Sequence, residues 1–269
     1  MKRDKSIGII GLGFVGNAVK SSLDLAGVNL VLLDPAKGFN STYEDLLKCD
    51  GIFVCVPTPE RWDMACDPSI LKDVLSKLKE VKYNGVIISK STATPDVYKE
   101  LQEEFPNLVH SPEFLTAAHA TKDYTNGTFA IIGGAVTAYK NEAERIIRLS
   151  QLELKQVVHC SIEEASFAKY GINSFLATKV VFMNELAKLA EAEGCNWTII
   201  SRLLSLDKRI GSSHLQVPGP DGHYGFGGMC FPKDTKALLK YARTNNCELS
   251  VLDTATKKNF MLRLTGPKE

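Results

Sequence analysis

Long hydrophobic runs are missing from this chain of 269 residues. No apolar stretch approaches the roughly 20 residues of a membrane-spanning helix, so no span is expected. An excess of one charge is missing too. The 32 Lys and Arg against 31 Asp and Glu leave a net charge of +1, which gives no pull toward nucleic acid or an anionic bilayer. The seven cysteines (49, 55, 66, 160, 195, 230 and 247) include no C-x-x-C pair, and the five histidines are scattered. That argues against a disulfide framework and a zinc site and for a reducing compartment, so a cytoplasmic location is expected. Lys2, Arg3 and Lys5 lead into an apolar strand and a glycine turn, with no apolar region or small-residue cleavage site of a secretory signal. Internal repeats, low-complexity tracts and flexible linkers are also lacking. A hydrophobic content of 44% and a charged content of 23% are ordinary for a globular protein of one large or two modest domains.

What is present begins with a glycine turn. Ser6 to Ile10 reads as a short strand, followed at once by Gly11-Leu12-Gly13-Phe14-Val15-Gly16 and then by Ala18, Val19 and Leu23 at helical spacing. A second strand, Val28 to Leu33, ends in Asp34, 18 residues past Gly16. G-x-G-x-x-G alone is weak evidence. Between a strand and a helix, with an acid at that distance, it is the βαβ dinucleotide fingerprint. Pyrophosphate sits at the helix N-terminus and the acid takes the ribose 2′-OH. Asp34 repels a 2′-phosphate and favours NAD over NADP, and Lys37 works against that preference.

Alternation continues. Strands are expected at 51–56, 85–89, 108–110, 128–132 and 155–158, and helices at 68–81, 94–104 and 141–149. Such alternation implies a parallel sheet with helices on both faces. Ligands of such sheets bind beyond the carboxyl ends of the strands. Val56-Pro57-Thr58-Pro59, Lys90-Ser91-Thr92 and Ser111-Pro112-Glu113-Phe114 all fall there. Each alone is a turn signal; together they read as the wall of a site.

The second half reads as helical. Ser161 to Glu164 fits a capping box, opening a long helix that runs to about Glu193 and closes at Gly194. Phe167, Ile172, Phe175, Leu176, Val180, Met183, Leu186 and Leu189 put apolar groups on most of its faces, which predicts burial on several sides, including against a partner subunit. Lys169 and Asn173 share one face. On spacing alone, a snorkelling lysine with a solvated asparagine is the favoured reading. The alternative is a pair that contacts something polar. Asn196 caps a helix over 197–205, and a last helix covers 251–264. The fold expected is α/β: a Rossmann-type doubly wound parallel sheet over residues 1–158, then a smaller helical domain with one long central helix over 159–269.

After the helix over 197–205, residues 207–233 have little regular pattern and run into Gly225-Phe226-Gly227-Gly228-Met229-Cys230-Phe231-Pro232-Lys233-Asp234. Long irregular segments in compact domains are functional or disordered, and this one reads as functional. A lone cysteine is more often inert and buried. Here Cys230 follows a glycine loop and precedes a helix expected over 235–242, near Lys233. Both the helix dipole and the lysine favour thiolate, the nucleophilic form. Asp234 has a plainer reading as the N-cap of that helix.

These stretches, with Arg209-Ile210-Gly211 and Lys169 to Ala177, run in order along nearly the whole chain. In that order they resemble the nucleotide-sugar dehydrogenase family, and its UDP-glucose branch most. Cys-Phe-Pro-Lys-Asp is the form associated with UDP-glucose, whereas GDP-mannose relatives tend to carry Leu after the Cys. The resemblance implies oxidation of a sugar C6 alcohol to an acid by two hydride transfers to NAD. In it, Cys230 traps the aldehyde as a thiohemiacetal, which is oxidised to a thioester and hydrolysed. Lys169 and Asn173 stabilise the oxyanion, and Asp234 and Thr92 position and deprotonate a water. NAD contacts are implied at Gly11, Gly13, Phe14, Val15, Gly16, Asp34, Pro57, Thr58, Thr92 and Lys233. Substrate contacts are implied at Glu113, Phe114, Leu115, Lys169, Asn173, Arg209, Gly225, Phe226 and Gly227. No metal is implied. The family's glutamate for thioester hydrolysis falls here at Ala117, leaving Asp234, Glu113 or His119 to substitute. The segment from Asp34 to Val54 is shorter than the family's. The apolar long helix makes a homodimer the expectation, and the resemblance implies a C-terminal α/β domain that closes over the nucleotide. The chain stops where that domain begins, so a separate polypeptide is a candidate partner. Two other readings stand beside this one: a small hydroxy-acid dehydrogenase of the same superfamily, and a non-catalytic homologue that binds NAD or nucleotide sugar.

Overall fold

The glycine turn dictates the first element contact. In the computed structural model, which describes residues 6–116 and 119–265, strand β1 (Ser6–Ile10) runs into Gly11 at φ +85° and helix α1 (Phe14–Leu25). A Cβ on Gly16 would lie 1.9 Å from the Gly11 carbonyl oxygen, so only glycine lets α1 start this close to the turn. Strand β2 (Asn29–Asp34) pairs parallel with β1, in register Ile10 to Leu33.

Further strands extend the sheet: β3 (Phe39–Asn40), β4 (Gly51–Val54), β5 (Val86–Ser89), β6 (Leu108–His110), β7 (Phe129–Gly133) and β8 (Gln156–Cys160). The order is β3-β2-β1-β4-β5-β6-β7-β8. β4 and β5 are buried along their length. Central parallel strands covered on both faces read as unbroken apolar runs, and GIFV and VIIS do. Between the strands lie α2 (Ser69–Glu80), α3 (Pro95–Glu104), α4 (Ala120–Thr125) and α5 (Thr137–Ser150).

Two junctions correct the expected all-parallel sheet. β3 pairs antiparallel with β2, and β7 with β6 through His110 and Gly133. Among the described residues of 111–128 the only helix is the short α4, and the chain re-enters the sheet in reverse. The short segment after Asp34 makes an edge hairpin through Gly38 at φ +82° in place of another crossover. α5 begins at Thr137, four residues before the expected start, and α4 had no periodic signal.

The chain divides into two compact units, one holding residues up to Pro59 with Asp67–Lys169, the other Glu60–Cys66 with residues from Tyr170 onward. The long helix α6 (Ile162–Ala192) runs from the first into the second. It opens as its residues predict: Ser161 Oγ accepts from the Glu164 amide at 3.1 Å and Glu164 Oε2 from the Ser161 amide at 2.7 Å. Gly194 ends it at φ +71°. The second unit adds α7 (Trp197–Ser205), α8 (Phe231–Thr244) and α9 (Ser250–Thr265), with Asn196 Oδ1 capping α7 by accepting from Thr198 and Ile199. Among the described residues no helix is long and apolar enough to cross a membrane.

The core of the first unit encloses a polar cluster. His110 stacks on Tyr98 with centroids 4.1 Å apart, its Nδ1 lies 3.2 Å from the Ser89 carbonyl oxygen, and its Nε2 is buried with no partner among the described residues. Burial pushes the imidazole down to about 3. The native state therefore refuses a proton that the unfolded chain takes up below its ordinary 6.5. The contribution is present above pH 6.5 and is lost as pH falls toward 3, by about 1.4 kcal/mol per pH unit. Urea midpoints measured between pH 6.5 and 5, above the main carboxylate range, are expected to fall more steeply for the wild type than for His110→Gln. Equal slopes would show that this imidazole is not the titrating group.

Candidate active site

In the first unit the fingerprint turn is cross-braced. Asp34 Oδ2 accepts from the Leu12 amide at 2.7 Å, and the Leu12 carbonyl accepts from Lys37 Nζ at 2.7 Å and Asn17 Nδ2 at 2.6 Å. Lys37 is thus held by a backbone carbonyl. α1 has no side-chain cap and no acid in its first turn, and a Cβ on Gly13 would meet nothing within 4 Å. Uncapped amides at an open helix start, with a carboxylate at the end of β2, fit a dinucleotide with a free ribose 2′-OH. Phe14 is exposed and Val15 half-buried beside the turn. Thr58, buried next to the exposed Pro57, donates to the Thr92 carbonyl at 2.5 Å, and Ser91 donates to the Val56 carbonyl at 2.7 Å. These bonds tie the loops after β4 and β5 together.

The same strand ends hold a buried charge cluster. Lys169 reaches back from α6 to Glu113, donating to its carbonyl and, at 3.0 Å, to Oε1, with side chains only 3% and 9% exposed. Glu113 Oε2 accepts from the Leu115 amide at 2.7 Å. The ammonium lies 5.3 Å from the centre of the Phe114 ring, which sits 5.1 Å from that of Phe129. The snorkelling reading of Lys169 is therefore corrected: a carboxylate from a strand end compensates its burial. Lys90 is a second buried cation, donating to Ser111 Oγ at 3.0 Å and lying 5.5 Å from the centre of the Tyr124 ring. Desolvation pushes its ammonium down to about 8, offset in part by Cys55 and Glu113. Burial holds the neighbouring Cys55 thiol up at about 12. Lys90, Glu113, Phe114 and Leu115 line a cavity of about 310 Å³. The sequence named Lys90 only as part of a strand-end motif. A lysine at the end of an apolar central strand was the available signal.

In the second unit Asn173 Nδ2 donates to Asp234 Oδ2 at 2.6 Å, and Lys233 Nζ donates to Asp234 Oδ1 at 2.7 Å. Asp234 is 1% exposed, and Asn173 is buried rather than solvated. α8 begins at Phe231, so Cys230 occupies the N-cap and Asp234 lies inside the first turn; the N-cap reading of Asp234 is corrected. The reason is Pro232, whose fixed φ suits an early helical position and starts α8 before Asp234. Cys230 is exposed at that helix start. Arg209 is 90% exposed and bound by its Asp207 neighbour. Gly225, Phe226 and Gly227 form the turn ahead of Cys230, with Phe226 buried. His119 is exposed next to α4, whereas Ala117 lies outside the described residues.

Two models of one family match this chain: the NAD binding domain of the UDP-glucose/GDP-mannose dehydrogenase family over residues 36–150, and its central domain over 163–260. A UDP-glucose 6-dehydrogenase of Rickettsia bellii is 33% identical over 234 residues, covering 82% of this chain and 52% of that protein. One from Bacillus subtilis is 32% identical over 237 residues, covering 84% and 52%. The chain spans about half the length of the curated relatives it matches. Among solved structures, a UDP-glucose dehydrogenase from Pyrobaculum islandicum superimposes with a TM-score of 0.81 at 22% identity, over 96% of this chain and 68% of that one. A 3-hydroxyisobutyrate dehydrogenase of Mycobacterium tuberculosis gives 0.75 at 16%, over 95% and 92%. Both show the fold.

Proposed function

The chain belongs to the UDP-glucose/GDP-mannose dehydrogenase family and carries its NAD-binding domain, and from that premise we propose that it oxidises the C6 alcohol of a nucleotide sugar, UDP-glucose first, to the acid. The observation that supports this most is an exposed thiol at the N-cap of α8, four residues ahead of a buried, doubly bonded Asp234. Bound NAD supplies the hydride acceptor for both oxidations.

The chain's own residues do the rest. Cys230 sulfur bonds to the aldehyde carbon, converting a difficult second oxidation into loss of hydride from a thiohemiacetal. The helix start offers the positive end of its dipole to an anion at the sulfur. Lys169, anchored on Glu113, and Asn173, anchored on Asp234, are donors for the oxyanion at C6. Water then cleaves the thioester, returning the thiol and releasing the carboxylate. Asp234, with Thr92, is the proposed base for that water, and Glu113 and His119 are the alternatives, because Ala117 stands where the resemblance implies a glutamate. Pro57, Thr58 and Lys233 are proposed to border the coenzyme. Phe114, Leu115, Arg209 and the glycine turn are proposed to border the nucleotide sugar.

α6 exposes Phe175, Phe182 and Leu189, spaced by seven residues along one stripe, and α7 exposes Ile199 and Leu203. We propose that a second copy covers this face and that the protein works as a homodimer in the cytoplasm. A second reading, motivated by Ala117 where the resemblance implies glutamate, is that the chain binds NAD or nucleotide sugar without oxidising it. The match to a hydroxy-acid dehydrogenase over nearly its full length keeps a small hydroxy acid as a third.

NADH released per sugar separates these. Two NADH per UDP-glucose is the expected result. A single burst, with the sugar retained on Cys230 by mass spectrometry, shows blocked hydrolysis. No NADH with any nucleotide sugar sinks the oxidation reading in favour of binding, and turnover of a small hydroxy acid alone favours the third.

A further inference from the structure

The glycine turn that delivers Cys230 is clamped by one side chain from a distant helix. Asn259, on α9, accepts from the Phe226 amide through Oδ1 at 2.6 Å and donates to the Phe226 carbonyl through Nδ2 at 3.0 Å. It is 7% exposed, and both halves of its amide are used on one residue's backbone, as a paired strand would use them. From the other side Asn184, on α6, accepts from the Gly225 amide at 3.0 Å. A Cβ on Gly225, at φ +74°, would stand 2.3 Å from Asn259 Oδ1. The fit of turn to asparagine therefore requires glycine. Arg263, one helical turn after Asn259, lies against Gly227 and pairs with Asp221 at 2.7 Å.

The clamp reaches the thiol through packing. Phe226 is buried with Ala177, Val181 and Ala255, and Phe231 packs against this cluster. The Phe226 and Phe231 rings meet edge to face at 6.2 Å. Phe231 is the first residue of α8, and Cys230 is its N-cap. Asn259 thus fixes Phe226, Phe226 supports Phe231, and Phe231 sets where α8 begins and where the sulfur stands.

We propose that Asn259 is a positioning residue for Cys230. It holds the Gly225–Gly228 turn in the one conformation that presents the thiol at the start of α8. The proposal rests on the reading of Cys230 as the reacting group, but its test does not need turnover. Exposed Cys195 and Cys247 are built-in references. Iodoacetamide alkylation, followed peptide by peptide in the mass spectrometer, compares wild type, Asn259→Ala and Asn259→Asp. The aspartate keeps an acceptor for the Phe226 amide and loses the donor to its carbonyl.

Losing the clamp is expected to change the Cys230 rate by about tenfold, the scale of one buried hydrogen bond, with Cys195 and Cys247 within about twofold of wild type and the aspartate intermediate. An unchanged Cys230 rate in a folded variant overturns the proposal. So does an equal change at all three cysteines, which marks general loosening. Should Asn259→Ala fail to fold, Asn259→Asp and Asn184→Ala carry the same comparison. If alkylation responds as expected while no nucleotide sugar is oxidised, the positioning role stands and the oxidation reading alone fails.

Discussion

Cys230→Ser is expected to abolish acid formation from UDP-glucose while leaving coenzyme binding intact. Serine keeps the size and the helix-start position but supplies a hydroxyl that stays protonated near neutral pH, so no covalent adduct carries the second oxidation. The loss expected in acid formation is on the order of 10⁶-fold, as for removal of a covalent serine nucleophile. The fingerprint turn belongs to the first unit and Cys230 to the second, so NAD affinity, read by fluorescence titration, should match the wild type. Unchanged turnover in the serine variant would eliminate the thioester route and leave the hydroxy-acid reading, which needs no nucleophile.

The second large effect is on stability. Lys169→Met removes the partner of a carboxylate that is 9% exposed. Breaking one side of a buried pair costs about 3–5 kcal/mol, because the remaining charge stays desolvated without its counter-ion. For a domain this size that lowers the melting temperature by about 10 °C. Lys90 is a second cation close enough to interact with Glu113, which places the effect toward the lower end. The double variant Lys169→Met/Glu113→Gln is expected to regain part of the loss, since neither residue then leaves a bare charge. A single variant that melts with the wild type would show that the pair is solvated rather than buried.

Legibility followed the range of the interaction. The glycine turn, the capping box at Ser161 and the Asn196 cap were readable because each is decided within a few residues by steric limits or one hydrogen bond. α8 starts four residues ahead of the position its sequence predicts. Helix propensity put it at Thr235, but Pro232 and the packing of Phe231 on Phe226 moved it to Phe231 and placed Cys230, not Asp234, at the N-cap. Lys169 and Asn173 were visible as a pair on one face, and their partners were not. Glu113 lies 56 residues from Lys169, and Asp234 lies 61 from Asn173.

By itself the amino-acid order determined the alternation of strand and helix, the phosphate-binding turn with its acid, the long helix and the thiol behind a glycine loop. Each of these is written in local periodicity and local sterics. Only the tertiary structure decided that β7 runs backwards, that Glu113 pairs with buried Lys169 and Asp234 accepts from buried Asn173, that Lys90 is enclosed, and that Asn259 holds the turn before Cys230. Those outcomes depend on which distant segments the folded chain brings within hydrogen-bond range, and on which polar groups burial then compels to pair.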